Sequence, residues 1–310
     1  MKTQTWTIFV ILGLVWGCNP YFTQMALPYL SPIELVWWRI LCGMVPLLII
    51  AIISKAMSWQ HLRYAHHFFI MSLLATSLYY ILYAYGTKLM PSGIAGVLSA
   101  SIPLFTFISS MIFLRQESVS RAAMLGMAWA SAGIVFIAEP WKAEGGINIL
   151  GVAAILSGSL LIGLSFVYAR KYLAPLKIKP IALSAYQMVF AFLSLLFTTP
   201  TANLGNVFQS THATIALILG LGVMGTGIAY LAYYYLIETM GAVLASTSTY
   251  LPPVVALVIG YMFAGETINL MQSIGILILL IGVACIQFGD TVWRKWRPKS
   301  ACHSAASCNK

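Results

Sequence analysis

Arg39 is a full charge set inside an apolar run, between Val36-Trp37-Trp38 and Ile40-Leu41. A guanidinium at such a position has two uses. It clamps a carboxylate or phosphate on a substrate through its planar fork, or it holds the bundle together by pairing with Glu34 or capping backbone carbonyls where helices meet. A separation of five places Glu34 and Arg39 poorly on one helical face. Both uses stay open from the residues alone.

Other polar groups in apolar surroundings are the candidate companions of Arg39. Asn19 precedes Pro20, and a proline within a helix removes one backbone hydrogen bond and frees a carbonyl, so polar groups gather at the kink. Ser99 and Ser101 stand just before Pro103. Ser246, Thr247, Ser248, Thr249 and Tyr250 stand just before Pro252 and Pro253. Tyrosine is concentrated at Tyr79, Tyr80, Tyr83 and Tyr85, and again at Tyr230, Tyr233, Tyr234 and Tyr235. Adjacent positions cannot all face inward, so Tyr79, Tyr83 and Tyr230 are assigned to a cavity and the others to the interfacial belt. The expected substrate-binding set is Arg39, Asn19, Trp38, Tyr79, Tyr83, Ser101, Tyr186, Gln187, Tyr230 and Tyr250. Pro20, Pro103, Pro252 and Pro253 are the expected hinges.

The elements that carry these residues are membrane spans. Of the residues, 60% are hydrophobic and only 8% are charged, with a mean hydropathy of +0.89. A soluble domain carries about 25% charged residues. Ten apolar runs approach the ~20 residues that cross a bilayer: 6–26, 33–54, 67–87, 92–114, 121–138, 149–169, 180–199, 213–236, 242–263 and 271–289. The runs are continuous rather than alternating, which argues against a β-barrel. At ~1.5 Å per residue, Arg39 lies about 9 Å into the second span. The residues before the first run read as too short and too weakly basic for a cleavable signal peptide.

The chain also repeats itself. At an offset of 149 residues, Pro103 meets Pro252, Glu117 meets Glu266, Gly126 meets Gly275 and Gly133 meets Gly282. At an offset of 148, Trp38-Arg39 meets Tyr186-Gln187, so one copy carries a charge where the other carries an amide. Each copy holds five spans, an odd number, so the second enters the membrane from the opposite side. The expected fold is therefore all-α and polytopic, with ten transmembrane helices as two inverted five-helix repeats. Residues 1–140 form the first repeat, 141–148 the linker, 149–290 the second repeat and 291–310 a basic tail. Gly126, Ala130 and Gly133, with Gly275 and Gly282, make small-residue faces for close helix contact, within one chain in preference to a dimer.

Charge placement sets the topology. With both termini cytoplasmic, fourteen of the seventeen Lys and Arg fall in cytoplasmic segments and only Lys88 and Lys142 in outer loops. The net charge of +10 thus reads as a topology signal with anionic lipid as neighbour, and no nucleic-acid partner is expected. Cys302, His303 and Cys308 fit no zinc spacing, and neither metal nor cofactor is expected. The chain contains no GxxxxGK[ST], H-E-x-x-H or G-x-S-x-G sequence, so ATP hydrolysis and familiar hydrolase chemistry are not expected. Acidic side chains lie toward span ends, which favours facilitation or exchange over ion coupling. A non-transporting sensor or scaffold is the rival, in a monomer or homodimer.

These residues resemble the drug/metabolite transporter superfamily, and within it the EamA family of ten-helix carriers. The matching positions are Trp16-Gly17, Pro32, Arg39, Pro103, Glu117 and Gly126, then Pro252, Gly265-Glu266, Gln272, Gly275 and Gly282-Val283. The first copy departs in reading Arg115-Gln116-Glu117, without the glycine that precedes the second glutamate. The resemblance implies a small-metabolite carrier of a bacterial plasma membrane, with export of amino acids or related compounds first and uptake second. It also suggests an arginine at position 39 across members with different substrates, which leans toward a structural use.

Overall fold

The structure is a computed structural model that describes residues 2–114, 121–139, 147–240, 248 and 251–296. Glu117, Tyr250 and its neighbours Ser246, Thr247 and Thr249, most of the linker, and the tail from 297 lie outside the described residues. Every regular element among them is helical. In chain order these are α1 (Lys2–Ala26), α2 (Pro32–Ile53), α3 (Ala65–Ser72), α4 (Leu78–Lys88), α5 (Ser92–Leu98), α6 (Ile102–Leu114) and α7 (Arg121–Ala138). They continue with α8 (Ile149–Tyr168), α9 (Pro180–Leu196), α10 (Thr211–Ile215), α11 (Ala229–Met240), α12 (Leu251–Phe263) and α13 (Leu270–Trp296).

Several of these helices are pieces of longer rods. A π-helical stretch, Leu73–Ser77, joins α3 to α4, and a longer one, Ala216–Ile228, joins α10 to α11. A 3₁₀ turn, Ser99–Ser101, joins α5 to α6 just ahead of Pro103. Proline brings no N–H to the Ser99 carbonyl, and the Ile102 N–H supplies that bond instead, tightening the turn. With the joins included, six stretches are long and apolar enough to cross a bilayer: Gln4–Ala26, Pro32–Ile53, Trp59–Lys88, Ser92–Phe113, Ile149–Leu176 and Thr211–Ala232. Met124–Ala138, Pro180–Leu196, Leu251–Phe263 and Leu270–Cys285 are shorter apolar helices. Large side chains such as Ile53, Leu125, Phe263 and Leu277 stand exposed on the outside, as a lipid-facing surface requires. α13 runs on to Trp296, past the end expected at 289.

Small residues set the packing. A side chain on Gly133 would sit 2.5 Å from the Leu279 nitrogen and 2.7 Å from the Gly275 carbonyl. One on Gly275 would sit 2.8 Å from the Ile137 nitrogen and 2.9 Å from the Gly133 carbonyl. One on Gly282 would strike the Ala130 nitrogen. The two small-residue faces thus meet each other, α7 on α13, backbone against backbone. α1 lies on α12 with Gly17 against Val255, and α8 lies on α6 with Gly163 against Thr106. α2 lies on the stretch Ala216–Ile228, with Gly43 against Thr226 and Gly222 against Cys42.

α12 ends in a turn that aims a carboxylate. Gly265 adopts φ +61°, and the Glu266 N–H bonds back to the Gly260 carbonyl at 3.0 Å. A Cβ on Gly265 meets nothing within 4 Å, so an alanine there suffers only from left-handed backbone, about 1–2 kcal/mol. Gly265→Ala is expected to lower the unfolding free energy by that amount and so to lower the thermal midpoint. A midpoint equal to wild type shows that this turn is not held.

Candidate functional site

Arg39 is 5% exposed on α2. Its guanidinium carbon stands 3.9 Å from the centroid of the Tyr80 ring, and its Nε donates to Thr226 Oγ1 at 3.2 Å. The threonine hydroxyl passes its own proton on to the Leu221 carbonyl at 2.9 Å. Thr226 lies in the π-helical stretch Ala216–Ile228, where Gly222, Gly225 and Gly227 let α1 and α2 approach. Glu34 is not the partner of Arg39. Its Oε2 accepts from the Ser31 N–H at 2.8 Å and the Ser31 hydroxyl at 2.7 Å, which closes the first turn of α2. Among the described residues no carboxylate pairs with Arg39. An arginine carries five N–H donors, and among the described residues only its Nε has a protein acceptor.

Gln187, the counterpart of Arg39 in the second copy, behaves alike. Its Nε2 donates to Thr76 Oγ1 at 2.6 Å, and Thr76 also lies in a π-helical stretch, Leu73–Ser77. Each copy therefore reaches across to a threonine on the other, one through a cation and one through an amide. Thr76, Thr226 and Tyr80 are site residues that the sequence did not single out. The signal available was a threonine amid glycines at Gly225-Thr226-Gly227, but a π-helical stretch has no sequence period of its own to betray it.

Around Arg39 the structure brings Tyr79, Tyr80 and Tyr83 together. Tyr79 is 5.3 Å from Tyr80 and 5.9 Å from Tyr83 between ring centroids. Tyr79 rests on Gly158 of α8. Asn19 is buried and presses its Oδ1 on Gly225, next to Thr226. That oxygen has no hydrogen-bond partner among the described residues. Ser101 is fully buried in the 3₁₀ turn, its hydroxyl likewise without an acceptor or donor. Tyr230 is half-buried against the same apolar cluster as Tyr80. Pro20 continues inside α1, whereas Pro252 and Pro253 are the second and third described residues of α12.

Trp38 and Tyr186 serve opposite ends of α2. Trp38 Nε1 donates to the Leu204 carbonyl at 3.0 Å, and its ring meets Phe208 edge-on at 5.6 Å. Tyr186 Oη donates to the Ser58 carbonyl at 3.0 Å and accepts from the Ser58 N–H at 2.9 Å, while its ring stacks on Phe68 at 4.7 Å. Each aromatic residue fastens the loop that follows the second helix of the other copy. Beside the loop that Trp38 fastens lies a polar recess of about 340 Å³ between Ser31, Glu34, Lys88, Asn203 and Asn206.

Two acidic side chains also bridge the copies. Glu266 accepts from the Ser92 N–H at 2.5 Å, the Ser92 hydroxyl at 2.6 Å and the Gly93 N–H at 2.8 Å, capping α5 from outside. Glu139, 1% exposed at the end of α7, accepts from Asn269 Nδ2 at 2.8 Å and Gln272 Nε2 at 3.4 Å at the start of α13.

Among the described residues the bundle of apolar helices buries the Arg39 guanidinium under the Tyr80 ring, and comparison with known proteins gives the class to which such a chain belongs. The model of the EamA-like transporter family matches residues 4–138 and again 149–288. The chain belongs to that family, and it is a multi-pass membrane protein. It is 27% identical over 282 residues, 90% of this chain and 97% of the other, to an "Uncharacterized transporter" of Archaeoglobus fulgidus. It is 28% identical over 200 residues to the "Uncharacterized inner membrane transporter YedA" of Escherichia coli K12, covering 64% and 63% of the two chains. "Protein PecM" of Dickeya dadantii is 22% identical over 277 residues, 88% and 89% of the two. A solved structure described as "Crystal structure of protein" shares the fold at a TM-score of 0.62 and 18% identity, over 96% of this chain and 99% of that one. Family and relatives mark a transporter rather than an enzyme.

Proposed function

We propose that the chain is a ten-helix carrier of two inverted five-helix repeats, exporting a small carboxylate-bearing metabolite, an amino acid or a related compound, by alternating access. The observation that carries the substrate class is Arg39. A buried cation costs several kcal/mol to desolvate and calls for an anion with matching geometry. Here it has an aromatic face, one hydroxyl, unused Nη donors and no carboxylate among the described residues. A substrate carboxylate would meet that fork in bidentate fashion. Asn19, Ser101, Tyr79, Tyr83 and Tyr230 would supply the remaining polar and aromatic contacts. The outward direction is carried over from the family resemblance alone.

Support for two inverted repeats comes from exchange symmetry in the packing. Swapping residues at the 149 offset turns the Gly133–Gly275 contact into the Gly282–Gly126 contact, and both are present. Val255 under Gly17 and Thr106 under Gly163 are also a matched pair, with Thr106 and Val255 149 residues apart and the two glycines 146 apart. The Arg39–Thr226 and Gln187–Thr76 bonds, and the two fastened loops, exchange in the same way at offsets of 146 to 150. The family model matching once on each half supports it too. Both termini are assigned to the cytoplasm of a bacterial inner membrane on the distribution of Lys and Arg.

The test is thermal unfolding of the purified protein with metabolite pairs that differ only in the carboxylate. A ligand at one hundred times its dissociation constant adds ~2.7 kcal/mol. Amino acids are expected to raise the midpoint and their decarboxylated amines to leave it unchanged. Equal stabilisation by acid and amine removes Arg39 from the recognition scheme. For the moving parts, Pro252→Ala is expected to slow turnover in proteoliposomes more than it weakens binding, and unchanged turnover rejects Pro252 as a hinge.

A further inference from the structure

We propose that one face of the protein carries a specific site for an anionic phospholipid headgroup, formed where residues 54–67 of the first repeat meet 166–181 of the second. The two segments contain six Lys and Arg (Lys55, Arg63, Arg170, Lys171, Lys177 and Lys179), three histidines and no Asp or Glu. They are held together. His67 Nδ1 and Tyr168 Oη share a hydrogen bond of 2.6 Å, and the His67 ring stacks on Tyr172 at 5.7 Å. Beneath them Ala56, Phe68, Ile178, Ala182 and Tyr186 form one buried apolar cluster.

Positive charge at a membrane edge is by itself a topology signal. Three features here go beyond it. The cations are oriented: Arg63 lies over the Tyr64 ring at 4.5 Å and Lys171 over the Tyr172 ring at 5.3 Å, on either side of His67. Rings that hold the apolar side of each cation leave its N–H groups to an outside acceptor. Next, Lys55 and Lys177 both hold left-handed backbone, φ 49° and 51°, where glycine would be free of strain. Of the three non-glycine residues with this backbone among the described residues, Lys55, Lys177 and Glu139, two are lysines on this patch, where charge is kept against local conformational preference. Last, the patch adjoins apolar surface suited to acyl chains. Trp59 is 88% exposed and Phe166 is 42% exposed on the same segments, and Phe69, two residues beyond the first, is 43% exposed.

That combination fits a phosphodiester set between Arg63 and Lys171, with its chains running along Phe69 and Phe166. A free phosphate would share the cations but make no use of Trp59 or the phenylalanines. A lipid seated there touches both repeats at once, so it would bias their relative motion.

The experiment is thermal unfolding of the full chain in nanodiscs of phosphatidylcholine with and without phosphatidylglycerol. Arg63→Gln/Lys171→Gln, two exposed positions whose replacement leaves the core intact, is measured in parallel. Phosphatidylglycerol is expected to raise the wild-type midpoint. The double variant is expected to require ~25-fold more of that lipid for the same rise, since each cation near a membrane surface is worth ~1 kcal/mol, about fivefold. Identical midpoints in the two lipids, or identical lipid dependence in variant and wild type, overturn the site. Inorganic phosphate reproducing the full rise overturns the lipid assignment.

Discussion

Arg39→Gln is expected to leave a folded protein that moves a carboxylate substrate about a hundredfold more slowly. The second repeat already shows the substitution in place: Gln187 donates to Thr76 just as Arg39 donates to Thr226. A glutamine at 39 therefore keeps the bridging bond to the threonine. It loses the contact with Tyr80, worth ~2 kcal/mol when desolvated, and gains relief from burying a charge, a term of several kcal/mol. Those effects oppose each other, so the thermal midpoint is expected to stay near wild type. Substrate binding has no such offset. A charge-assisted bidentate pair contributes ~1.5–3 kcal/mol, and 1.4 kcal/mol is tenfold. Flux into proteoliposomes at matched protein density reads the outcome. Full flux in the glutamine variant eliminates Arg39 as the anion site. Collapse of both midpoint and flux assigns it to holding the bundle. Arg39→Lys keeps the charge without the fork and should fall between the two.

The contrast between Arg39 and Gln187 was visible as a substitution at an offset of 148, and so were the two small-residue faces at Gly126–Gly133 and Gly275–Gly282, though not that they pack on each other. Spacing at a fixed offset survives in sequence because each copy must solve the same packing problem. What the sequence concealed is where side chains turn. Glu34, weighed as a partner of Arg39, closes its own helix through Ser31, because a carboxylate at the third helical position is within reach of the cap. Tyr80, set aside for the interfacial belt, is the ring that covers the guanidinium, because helices pack on both sides of α4 and bury Tyr80 as well as Tyr83. Glu139 drew no role from its place at the end of the first repeat, yet it is buried against Asn269 and Gln272, which lie 130 residues and more along the chain. Contacts of that range have no local period from which to infer them.

Glu266→Ala is expected to destabilise the protein by about 3 kcal/mol. Pro91, the residue that precedes α5, offers no side-chain acceptor to the first N–H groups of that helix. Glu266 supplies the acceptor from the other repeat, taking the Ser92 N–H, the Ser92 hydroxyl and the Gly93 N–H. An end cap contributes ~1 kcal/mol, and a carboxylate at the positive end of a helix adds ~0.3–1 kcal/mol. Two orphaned N–H groups in a half-buried place cost the rest. The fit is tight, since a side chain on Gly93 would come within 2.9 Å of Glu266 Oε2 and one on Gly260 would overlap it. Two glycines thus let the carboxylate in, and Gly265 turns the chain to aim it. A glutamine should recover only part of the loss, because its amide would present a donor to one of the donors on α5. Decisive evidence comes from a double-mutant cycle with Ser92→Ala on thermal or denaturant unfolding. A coupling of about 1 kcal/mol or more is expected for groups in direct contact, and strictly additive losses would mean that the carboxylate does not cap α5. Because this cap ties α5 to the turn after α12, any exchange between two conformations of the repeats must either carry it intact or break it. Turnover of Glu266→Ala that rises as stability falls would place the breaking of this bond on the transport cycle, whereas turnover and stability falling together would make it a fixed joint.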